Sequence, residues 1–324
     1  MKNLVRLSVL AAAALAVGGA AHAETIGFTT LQPGAINHLQ AQIIGKVVQA
    51  HTDLQVRVIP VAGTTATLAA VQNRQAEITI GDVNNMGDAI RGTGMFTKLK
   101  PMPNLRVIVK LVDFPIGIMV RKDSNMFKLE DLKGKKYPIG WQAFPNGTPL
   151  SQGLFASVGM TLKDIKGINV SGLMPQADDF ASGKLDASMI APPAPKVREV
   201  DAKVGGIRWL VMPNTPEAVA RVKAIRPDYG IKTWHPGRPP LVAVKKPTLF
   251  LNIRVLLTAG THVSTETIYK ITKARAENKG DLVKGHPIFG GFFPDKRMAT
   301  QFSSVQYHPG AIKYFKEKGI WPGS

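Results

Sequence analysis

Two short stretches combine glycine, a hydroxyl or amide side chain and an immediately following helical pattern: Gly63-Thr64-Thr65 and Pro145-Asn146-Gly147-Thr148. Glycine lets a backbone approach a ligand closely, and exposed amides with a hydroxyl at a helix start can hold a carboxylate. The same residue types serve as ordinary helix caps, so either stretch alone leaves both roles open. Their occurrence at corresponding places in two halves of the chain favours one shared site. Gly63 and Thr64 would serve from the first half, and Asn146, Gly147 and Thr148 from the second. Thr29 and Thr30 after one apolar run, and Asn84 and Asn85 after another, add hydroxyls and amides. Trp141 is a candidate wall of the pocket or a packing residue. His235, beside a proline, is a candidate hydrogen-bond partner or a plain loop residue.

Catalytic signatures do not accompany this binding chemistry. The sequence holds no Gly-x-Ser-x-Gly elbow, Walker loop or dinucleotide fingerprint. After the first 23 residues, no two histidines stand four apart as a helical zinc site requires. Cysteine is absent, which excludes thiol catalysis, disulfides, zinc–cysteine sites and iron–sulfur clusters. Asp178-Asp179 and Glu130-Asp131 are sequence neighbours and point about 100° apart on a helix, so they form no acid–base dyad by themselves. The expectation is a non-enzyme with no catalytic residue, metal ligand or cofactor. An exported enzyme whose site is assembled from distant residues is the competing reading.

The chain has 324 residues, 44% hydrophobic, with 41 Lys and Arg against 22 Asp and Glu, a net charge of +19. This length predicts two domains of ordinary globular composition. Lys2 and Arg6, the apolar run Leu7–Val17 and Ala21-His22-Ala23 match a secretory leader, residues 1–23, cleaved after Ala23. The run is too short to span a bilayer comfortably. The expected location is the periplasm, with a mature charge of +17. The cations are scattered and aromatics do not interleave with them, so a nucleic-acid partner is not expected. A basic protein that binds anionic polymers remains a further alternative.

Periodicity places strands at Thr25–Phe28, Leu54–Val58, Ile78–Ile80, Lys136–Gly140, Ile168–Val170 and Ala187–Ile190. Helices fall between them, over Ile36–Val48, Thr64–Val71, Leu150–Val158 and Ala177–Ser182, and later over Thr267–Asn278 and Ala311–Lys318. Strand–helix alternation predicts two α/β units with parallel pairing. Val107–Val120, broken by Lys110, Asp113 and Pro115, reads as two strands crossing between the units. Pro213–Pro240 reads as irregular, and Leu241–Val244 as an extended return. Ligands of open α/β sheets bind beyond the carboxyl ends of strands, so two such edges face to face make a cleft.

His308-Pro309-Gly310-Ala311-Ile312-Lys313-Tyr314-Phe315-Lys316-Glu317-Lys318-Gly319 resembles the terminal signature of the TAXI-type solute-binding proteins of TRAP (tripartite ATP-independent periplasmic) transporters. Val120-Arg121-Lys122-Asp123-Ser124 and Leu129–Lys135 are also similar, in a pattern shared with many periplasmic binding proteins. The resemblance implies a type II periplasmic-binding-protein fold: two α/β lobes joined by hinge strands with a cleft between them. Lobe one would comprise residues 24–116 plus 243–324, and lobe two residues 117–242. It also implies closure on a small carboxylate-bearing solute, an organic acid or amino acid, and delivery to TRAP membrane permease subunits. An ATP-driven importer is the alternative partner. The pocket departs from the family pattern, with Thr67 at a usual Asn and Asn84 where Asp is common.

Overall fold

The computed structural model describes residues 23–237 and 241–322; the expected leader lies outside the described residues up to residue 22. The chain opens with β1 (Thr25–Thr30), α1 (Ile36–His51), β2 (Gln55–Pro60), α2 (Thr64–Gln72), β3 (Ile78–Asp82) and α3 (Val83–Arg91). β1 pairs in parallel with both β2 and β3, as the alternation predicts. Ile36, Ile43, Ile44, Val47 and Val48 form the buried stripe of α1. α3 was not anticipated from periodicity. Its start is fixed by Asp82, whose carboxylate accepts the Asn85 N–H at 3.0 Å, and its end by Gly92 in the left-handed region.

β4 (Leu105–Arg121) is one continuous strand where the sequence suggested two: Lys110, Asp113 and Pro115 do not interrupt it. Its near-unbroken apolar run follows from burial on both faces. Its partners change along its length. Leu105–Ile116 pairs antiparallel with β10 (Thr248–Gly260), whereas Gly117–Val120 pairs with β7 (Ala187–Ile190) and Met119–Arg121 with β8 (Ile207–Trp209). The sheet order β2-β1-β3-β10-β4-β7 therefore runs from the first unit into the second through β4. The second unit adds β5 (Lys136–Ile139), α4 (Gly147–Ala156), parallel β6 (Lys166–Asn169), α5 (Leu173–Ala181) and α6 (Pro195–Lys203). The molecule is thus a mixed α/β fold of two lobes.

Two further sequence expectations need correction. The proline-rich stretch holds α7 (Pro216–Ile225) and β9 (Gly230–Trp234). Pro216 occupies the first helical turn, where its missing N–H is harmless, and Thr215 Oγ1 accepts the Ala218 N–H at 3.2 Å. Leu241–Val244 is a turn closed by the Val244 N–H on Leu241 O at 3.2 Å, and β10 carries the chain back.

α8 (Thr265–Glu277), α9 (Lys279–Gly285) and α10 (Pro309–Glu317) complete the fold. The terminal signature has a physical basis. His308 Nδ1 accepts the Gly310 N–H at 3.2 Å, so the neutral ring carries its proton on Nε2 and donates to Val263 O at 3.1 Å. Gly310 lets α10 lie directly on the backbone of α8: a Cβ there would overlap Thr265 O and stand 2.8 Å from Tyr269 N. Gly310→Ala is accordingly expected to lower stability by about 1–3 kcal/mol, because backbone on both sides cannot give way. A urea midpoint unchanged from that of the parent chain would refute this packing constraint.

Candidate functional site

Between the two units lies a cavity of about 60 Å³, room for roughly four waters. β4 and β10 supply its floor. Phe114 and Ile116 project from one strand and Ile253 and Val255 from the other, each pair two residues apart on one face. Met174, Met189 and Ile190 add apolar wall from the second unit. A neighbouring hollow of about 190 Å³ shares Leu31, Ala35, Phe144, Leu173 and Met174 with it and continues along the seam.

Six helices begin at the cavity wall. Ala35 precedes α1, Thr64 opens α2, Asp82 precedes α3, Asn146 precedes α4, Leu173 opens α5 and Ala194 precedes α6. Five of these ends lack a side-chain cap; α3 alone has one, Asp82. Uncapped amides and aligned peptide dipoles make the enclosure favourable to negative charge without any cation in the wall. Among the described residues, no Lys, Arg or His lines it.

Among the described residues, Asp82 is the one ionisable residue lining the cavity. Its carboxylate accepts the Asn85 N–H, the Asn85 side-chain amide and, across the seam, Asn146 Nδ2 at 3.3 Å. Burial pushes its pKa up to about 6, although these bonds and the Arg226 cation pull the other way. Arg226 is itself ion-paired with Asp88 at 2.6 Å, a second link between the units. Lys196 N–H donates to Gly34 O at 3.2 Å, a third. At Gly63 the first unit meets the second so closely that a Cβ would overlap Ala143 O.

Of the residues expected at a binding site, the cavity brings together Thr64 and Asn146. Thr29 and Thr30 are buried, but their hydroxyls serve the backbone: Thr29 donates to Thr67 O at 3.2 Å, and Thr30 to Leu31 O at 2.7 Å. Asn85 supports Asp82 from behind. Asn84 is half-buried on the same turn. Trp141 lies beneath the α4 loop with its ring against Gly147, its backbone in the left-handed region at φ 41°, a strained state for a large side chain. Thr148 N–H closes a turn on Pro145 O at 3.2 Å. His235 is exposed, next to Trp234, which borders a separate surface groove. Sequence reasoning passed over Asp82 as a site residue, although an acid at a strand's carboxyl end followed by Asn three residues later is a readable cap signal. The hydrophobic floor carried no such signal, because an apolar strand residue reads alike in core and cavity.

The raised Asp82 pKa has a definite sign for stability. The native carboxyl holds a proton between its ordinary 3.8 and about 6, where the unfolded one does not. Its contribution is therefore full below about pH 4 and lost as pH rises through about 6. Asp82→Asn should remain as stable as the parent near pH 4 and exceed it at pH 7.5 by about 3 kcal/mol, at 1.36 kcal/mol per pKa unit. Parallel melting curves for the two proteins across this range would count against a desolvated carboxyl.

Solved structures share this architecture at low sequence identity. One described as a periplasmic transporter aligns over 93% of this chain and 95% of its own, at 14% identity and TM-score 0.58. PhnD1 from Prochlorococcus marinus, solved with methylphosphonate, covers 92% and 99% at 12% identity and TM-score 0.56. A protein from Bordetella bronchiseptica covers 91% and 98% at 15% identity and TM-score 0.52. These likenesses establish the periplasmic-binding-protein fold. Residues 38–319 match the NMT1-like family, and the chain belongs to it.

Proposed function

We propose that the chain is a periplasmic receptor that encloses a small carboxylate-bearing solute between two lobes and passes it intact to a membrane permease. Lobe one is assigned to residues 24–116 with 243–324, lobe two to residues 117–242. The observation that carries this reading is the set of uncapped helix N-termini at the wall of one partly open cavity between the units. Such amides bind a carboxylate at no cost of reorganisation, and charge-assisted bonds to it contribute about 1.5–3 kcal/mol each. Thr64 and Asn146 line the cavity, and in this reading they contact the solute, one from each lobe. Gly63, Gly147 and Trp141 shape the loops that carry them. A TRAP-type permease is supported by the resemblance at His308–Gly319, and an ATP-driven importer is the other delivery route.

A thermal-shift screen of organic acids and amino acids tests the receptor role. A true solute at a hundred times its dissociation constant adds about 2.7 kcal/mol of stability. Thr64→Ala combined with Asn146→Ala should weaken binding at least tenfold; unchanged affinity would sink the site assignment. Uptake in vesicles carrying the cognate permease should collapse with the ion gradient and survive ATP depletion, and the reverse pattern would move the chain to an ATP-driven system.

A further inference from the structure

Resting on the receptor reading above, we infer that the cavity recognises a primary ammonium group through Asp82 and the side-chain oxygen of Asn146. Its solute is then a compact ammonium-bearing molecule rather than a simple organic acid. Two independent features converge on this. The first is the carboxyl of Asp82 in the cavity wall, with no Lys, Arg or His among the other described lining residues. The second is Asn146. Its Nδ2 is committed to Asp82, which fixes the amide orientation, and leaves Oδ1 buried with no hydrogen-bond partner. Buried acceptors of this kind are rarely left unsatisfied, and a donor from the solute would complete them.

The complementarity goes further. An ammonium group carries three donors and a full positive charge, and so would both satisfy Asn146 Oδ1 and neutralise Asp82. A solute with only a carboxylate would bring a second negative charge beside Asp82 and leave Oδ1 unpaired. The uncapped helix ends at the remaining walls suit a carboxylate on the same molecule. Phe114, Ile116, Ile253 and Val255 suit a short alkyl body between the two charges. A cavity of about 60 Å³ limits that body to a few heavy atoms.

Calorimetric titration of the mature chain with L-alanine, propionate and n-propylamine separates the contributions. L-Alanine should bind at least tenfold more tightly than propionate. Asp82→Asn, which keeps the helix cap and the side-chain shape, should erase that preference; Asn146→Ala, checked for an intact melting transition, should reduce it. Binding of n-propylamine as tight as that of L-alanine would support ammonium recognition and identify a simple amine as its source. Propionate binding as tightly as L-alanine would overturn the inference while the receptor reading stands. Silence from all three probes would also overturn it, and a response to larger carboxylates in the same titration would show that the receptor reading survives.

Discussion

The Asp82 carboxyl is buried, with no cation beside it among the described residues of the cavity wall. Desolvating a carboxylate is expensive, so the chain surrounds it with donors: two from Asn85 on its own turn and one from Asn146 across the seam. That last bond joins the two units at the cavity. It requires the loop before α4 to sit directly against the end of β3, and the remaining geometry follows from this placement. Gly63 must lack a side chain where the opposing backbone passes, and Trp141 must accept a left-handed backbone to turn the loop inward.

The helix ends and the carboxyl act in opposite electrostatic senses within one small enclosure. Six peptide dipoles present their positive ends to it, and Asp82 both caps one of them and supplies the negative pole. The outcome is a divided surface with donors on most sides, acceptors at Asp82 and Asn146, and hydrocarbon beneath. Such a surface distinguishes solutes by where their charges lie. Away from the cavity, the Arg226–Asp88 pair and the Lys196–Gly34 bond hold the same seam, so the closed arrangement does not depend on Asp82 alone.

Most secondary structure was legible because burial imposed a period on it. The 3.6-residue stripe of α1 and the two-residue alternation in β2 are direct consequences of one buried face. Prediction faltered where local and tertiary signals conflict. β4 is buried on both faces and so shows no alternation, and its Lys110, Asp113 and Pro115 read as a division into two strands that the structure does not have. α7 lay within a stretch dominated by proline, where Pro216 in fact begins a helix. α3 is short and starts immediately after a strand, so its cap was a stronger sign than its periodicity.

The sequence by itself determined two α/β units, the helix-start loops at Gly63 and Asn146 and the lack of catalytic motifs, because each is encoded by neighbours along the chain. It also held a terminal signature whose purpose, His308 capping α10 and Gly310 admitting α8, is local in part. Only the tertiary structure decided which of the polar residues meet. Thr29, Thr30, Thr64 and Asn146 are chemically alike as candidates, but strand pairing turns the first two to backbone carbonyls and leaves the last two at the cavity. The pairing of Asp82 with Asn146 joins residues 64 positions apart, and no local pattern encodes a bond made by the docking of two separate units.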